Sequence, residues 1–76
     1  MTLSQTEEGD LVMVKSLDGG FGFKRRLLSL GIGPGQKLRV LKSAAFGGPI
    51  LVEVQGAEVA IGRGMAQKIF VEPIGE

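Results

Sequence analysis

The chain has 76 residues, a formal net charge of +1, thirteen glycines, and neither cysteine nor histidine. This size suits one small domain with a single core, and the composition excludes disulfide staples and a structural zinc site. It also excludes an overall attraction to nucleic acid or acidic lipid, so any such binding would have to be local. About a dozen Leu, Ile, Val and Met side chains must hold the fold, each worth roughly 1.5–3 kcal/mol and largely offset by chain entropy.

The opening Met1-Thr2-Leu3-Ser4-Gln5-Thr6-Glu7-Glu8 has neither the basic nor the apolar region of a secretory signal. No stretch is long and apolar enough to span a bilayer. A cytoplasmic location is the expectation. Glu8-Gly9-Asp10 reads as a turn, Leu11 to Leu17 as a strand, and Asp18-Gly19-Gly20 as the lead-in to a helix, with Asp18 available to help the loop fold or to cap.

The run from Arg25 to Gly35 reads as a short basic helix that stops on glycine and turns into a strand. Phe23, Leu27 and Leu30 stand at i, i+4 and i+7, which predicts one core-facing stripe, while Lys24, Arg25 and Ser29 point away. Gly31 suits the left-handed residue that closes a helix, and Pro34 cannot continue one. Next, Leu38, Val40 and Ala44 alternate with polar residues, as Ile50, Val52 and Val54 do, then Val59 with Ile61, and Ile69 with Val71. Phe46-Gly47-Gly48-Pro49 and Gln55-Gly56-Ala57-Glu58 supply tight connections, Gly64-Met65-Ala66-Gln67 a helical turn, and residues 73–76 a loose tail. The predicted fold is one mainly β domain spanning residues 1–76. It is a small, partly open antiparallel barrel of about five strands with one short α-helix.

Catalysis is hard to build from these residues. Without imidazole or thiol, acid–base work would fall to carboxylates or lysines, and Glu7, Glu8 and Asp10 read best as a solvated turn. Tight binding of iron or zinc would want the same missing ligands. No metal, cofactor or catalytic residue is therefore expected. The glycines of Gly31-Ile32-Gly33-Pro34-Gly35 follow a helix instead of preceding one, which is the wrong order for a phosphate cradle.

Binding is better supported. Leu28 falls about 140° round the helix from Phe23, off the core stripe and close to Lys24. It is either half covered by a loop or offered to a partner. Leu41, Leu51 and Phe70 lie on the faces opposite their strands' main apolar sets, and Phe46 sits at a loop tip; clustered in space, they would form a docking patch. Lys24, Arg25, Leu28, Phe46, Leu51 and Phe70 are the candidate partner-binding residues.

Arg26-Leu27-x-x-Leu30-Gly31-Ile32-x-Pro34-Gly35, then Gly48-Pro49-Ile50, then Gly56 with Val59-Ala60-Ile61, and Ala66 before Ile69, together resemble the FeoA family. The resemblance runs from about Leu3 to Val71. It implies a small cytoplasmic SH3-like barrel that accompanies FeoB, the membrane ferrous-iron transporter with a cytosolic GTPase domain, and acts by protein contact, with iron as the pathway and not the ligand. Whether such a chain forms a homo-oligomer is left open. A related SH3-like domain ends the DtxR-type iron-dependent repressors, but no helix-turn-helix is encoded here. An iron-linked regulatory domain related to that repressor domain is one alternative; Gly9-Asp10-Leu11-Val12-Met13-Val14 also resembles strand openings in ribosomal SH3-like domains, which keeps a nucleic-acid-binding barrel as the other. The scarcity of aromatic residues beside the cations weighs against it.

Overall fold

A computed structural model describes residues 1–43 and 47–75; the expected inward position of Ala44 and the expected loop tip at Phe46 lie outside them. After a 3-10 turn at Leu3–Gln5, the elements are β1 (Leu11–Leu17), α1 (Phe21–Ser29), β2 (Lys37–Ser43), β3 (Ile50–Val54), β4 (Ala57–Ile61), α2 (Arg63–Ala66) and β5 (Ile69–Pro73). The strands form one sheet in the order β4-β3-β2-β1-β5, with every neighbouring pair antiparallel. The sheet curls around its core without closing, which is the partly open barrel that short alternating strands predict.

Period-two alternation is realised with its inward side in the core. Val12 and Val14 of β1, Leu38 and Val40 of β2, Ile50, Val52 and Val54 of β3, and Ile69 and Val71 of β5 are all buried. Two bulges bend the sheet. The β2–β3 register shifts between Val40 and Lys42, so Leu41 is the extra residue; the β1–β5 register shifts between Val14 and Ser16, at Lys15. The first of these explains why simple alternation fails at Lys42, which stays exposed. The β3–β4 hairpin turns on two residues in the left-handed region, Gln55 (φ 51°) and Gly56 (φ 81°), the pattern of a type I′ turn.

The amino-terminal segment is more than a polar lead-in. Leu3 is fully buried, Thr2 bridges Phe70, and the Val71 N–H donates to the Met1 carbonyl at 2.8 Å, so residues 1–3 cover the open edge of β5. Thr6 is also buried, its hydroxyl donating to the Leu3 carbonyl at 2.6 Å, so no polar atom is stranded there. At the other end β5 continues through Pro73, and the Ile74 N–H donates to the Leu11 carbonyl at 2.9 Å. Two residues of the expected loose tail, Pro73 and Ile74, are therefore held to the sheet.

Candidate interaction surface

An isolated helix of nine residues is marginal in water, so α1 depends on what holds it to the barrel. Its first turn has no side-chain cap. Gly20 occupies the N-cap position and Asp18 does not reach it, contrary to the role its position suggests. The helix is instead clamped by packing. The Phe23 ring lies against Gly19, where a methyl group would overlap it, and the Lys68 ammonium sits 5.7 Å from the centre of the same ring. The Asp18 N–H donates to the Lys68 carbonyl at 2.8 Å, fixing this loop to the start of β5.

The carboxyl end is closed by a Schellman motif. The Ile32 N–H donates to the Leu27 carbonyl at 2.9 Å and the Gly31 N–H to the Leu28 carbonyl at 3.0 Å, with Gly31 at φ +83°. Leu27 and Ile32 are fully buried, whereas Leu30 is 40% exposed. This corrects the expected stripe of Phe23, Leu27 and Leu30. Leu30 is already the cap residue, with ψ near 0°, and the chain reverses there, so Ile32 takes the core position that helical phase assigns to Leu30. The turn that follows is tied to β1, the Gly35 N–H donating to the Val14 carbonyl at 2.8 Å.

What remains outside the fold is the opposite face of α1. Lys24, Arg25 and Leu28 are all exposed there, Leu28 by 56%. Leu28 is partly seated even so: a Cβ at Gly33 would stand 2.5 Å from its Cδ2 atom, so this side chain lies over the glycine turn and also meets solvent. The loop thus covers part of Leu28 and leaves the rest at the surface. Phe21, which sequence reasoning missed, is 79% exposed on the same face, with the Arg25 guanidinium 6.0 Å from its ring centre. Its i, i+7 spacing from Leu28 was the available signal.

The other candidates stand apart from one another in the sheet. Leu51 is half-buried on β3, level with Lys42, and Phe70 is 38% exposed on β5, level with Ser16. Strands β2 and β1 stand between them. Phe46 lies outside the described residues. The acidic group divides as well: Glu7 and Glu8 are exposed, while Asp10 accepts the Glu7 N–H at 2.8 Å and closes the turn before β1. Among the described residues there is no cluster of three or more potential metal-ligating side chains and no helix long and apolar enough to cross a membrane. The arrangement offers a surface and not a cavity.

Comparison with known proteins places this surface in context. A family model described as the FeoA domain matches residues 1–73. A putative Fe(2+) transport protein A of Methanocaldococcus jannaschii is 44% identical over 70 residues, covering 92% of this chain and 83% of that protein. Among solved structures, an iron uptake regulatory protein (FeoA) superposes with a TM-score of 0.88 at 35% identity, covering 97% of this chain and 96% of the other. A manganese-dependent transcriptional repressor superposes with a TM-score of 0.88 at 31% identity, covering 97% of this chain but only 41% of the repressor.

Proposed function

The chain belongs to the FeoA family, and we propose that it is a cytoplasmic, non-enzymatic accessory of ferrous iron transport that acts by contact with the cytosolic GTPase part of a FeoB-type membrane transporter. The observation that carries this reading is the 44% identity to a putative Fe(2+) transport protein A across 92% of the chain. Three features support protein contact as the mode of action. The chain has no histidine or cysteine to hold iron tightly, the carboxylates among the described residues form no cluster of three, and Phe21, Leu28, Lys24 and Arg25 are exposed together on one face of α1. Iron is then the cargo of the pathway, not a ligand of this chain. Lys24, Arg25 and Leu28 form the helix-borne part of the proposed contact.

Two measurements test the proposal together. A strain lacking this chain should take up radiolabelled ferrous iron more slowly than its parent, and the tagged chain should co-purify with the transporter. Undiminished uptake with no co-purification refutes it. The likeness to part of a transcriptional repressor reflects a shared domain: α1 and α2 are separated in sequence by β2, β3 and β4, so they do not form the adjacent helix pair that reads a DNA groove. A nucleic-acid-binding role would instead show affinity falling by roughly 0.7–0.9 log units per phosphate contact per log unit of salt.

A further inference from the structure

Phe21 is the feature that neither the fold nor the glycine turn explains. Among the described residues it is the most exposed of the large apolar side chains, and it does not belong to the set packed against the core, which includes Phe23 but neither Phe21 nor Leu28. At about 100° per residue, Phe21 and Leu28 fall within about 20° of one another, with Lys24 about 60° to one side of Phe21 and Arg25 about 40° to the other. The core residues Phe23 and Leu27 lie about 100–160° away from this pair on the same wheel. Two apolar side chains are thus bracketed by two cations.

The charge of this helix is one-sided. The sequence of α1 is Phe-Gly-Phe-Lys-Arg-Arg-Leu-Leu-Ser, with three cations and no acid, although the whole chain carries only +1. Among the described residues the ion pair within 4 Å is between Lys15 and Glu72, away from α1. Among the described residues no carboxylate lies within 4 Å of the cations that flank the exposed apolar pair, which leaves them open to acidic groups of a partner.

We infer that the Phe21–Leu28 face of α1 docks into an apolar groove rimmed by carboxylates on a partner protein, with Phe21 and Leu28 as the anchors and Lys24 and Arg25 paired to the rim. This is helix-in-groove recognition, with apolar anchors at i and i+7. Aromatic side chains are common anchors in such interfaces, and the charged rim steers approach more than it adds affinity. An anionic bilayer would attract the same cations. Stable anchoring on lipid, however, needs a second signal or a much larger apolar face than two side chains on a nine-residue helix. The inference rests on the reading that this chain works through contact with the transporter, and it locates the groove there.

The test uses the full chain and the intact transporter from the same organism in nanodiscs, with empty nanodiscs of the same anionic lipid as a control. Wild type should bind transporter nanodiscs and not empty ones. Phe21→Ser and Leu28→Ser should each weaken binding by about tenfold or more, and Arg25→Glu should weaken it and flatten its salt dependence. Thermal melts of every variant check folding. Phe21→Ser is the deciding variant because its side chain supports no core residue. If wild type binds and Phe21→Ser and Leu28→Ser bind equally well, this inference falls and the transport reading stands; absence of wild-type binding overturns both. Binding to empty nanodiscs, or self-association of the chain, that Phe21→Ser abolishes would overturn the protein groove in favour of lipid or of a second copy.

Discussion

Replacing Ile32 by alanine should damage this protein far more than replacing Leu30, although helical phase alone ranks them the other way. Ile32 is fully buried and stands two residues past the helix cap, where a Schellman motif sets an apolar side chain against the last turn of the helix. Truncation to alanine removes three carbon atoms, at about 0.8 kcal/mol each, and adds a cavity term, so a loss of roughly 2–5 kcal/mol is expected. A domain of this length has on the order of 4–11 kcal/mol to lose. At about 4–8 °C per kcal/mol, the melting midpoint should fall by roughly 10 °C or more. Leu30 is 40% exposed, so Leu30→Ala should cost under about 1 kcal/mol and a few degrees. Urea unfolding followed by far-ultraviolet circular dichroism, with thermal melts of the same proteins, measures both. A Leu30→Ala variant as destabilised as Ile32→Ala would refute the assignment of the core position.

Gly19→Ala should destabilise by roughly 1–3 kcal/mol, since the new methyl would overlap the Phe23 ring; a midpoint equal to wild type would mean that the ring can move aside. Gln55→Asn should raise the midpoint by a few degrees, about 0.5 kcal/mol or more, because asparagine tolerates the φ of +51° at this turn position better than glutamine does; a lowered midpoint would point instead to the side-chain hydrogen bond from Gln55 Nε2 to Gln36 Oε1 at 3.2 Å. Glu72→Gln should change stability by less than about 1 kcal/mol, because the 3.5 Å pair with Lys15 joins two side chains that are each about half exposed; a larger loss in urea titration would contradict that view of the pair.

Local chemistry made much of this protein legible. Alternation placed Leu38, Val40, Ile50, Val52, Val54, Ile69 and Val71 on inward faces, because a strand has only two sides and one of them must be dry. Gly31 marked the end of α1 because few other residues adopt its φ of +83° without strain, and the family pattern was readable in the same turn. Off-stripe Leu28 was likewise visible from the helical period alone.

Other features depend on residues far apart in the chain. Nothing near Leu3 announces a core residue, since its neighbours are polar; it is buried because the open edge of β5 draws residues 1–3 across it. Leu30 fits the helical stripe, and only the reversal at the cap turns it outward and Ile32 in. The bulge at Leu41 arises from pairing with β3, which no single strand records. Read alone, the chain settles its elements and inward faces, because those follow from backbone preference and periodicity, while the kinship with FeoA rests on the resemblance of its motifs. The tertiary structure decided which apolar residues remain exposed, because exposure is settled only when distant segments compete to cover the same surface. That competition leaves Phe21 and Leu28 outside the core, between the cations of α1.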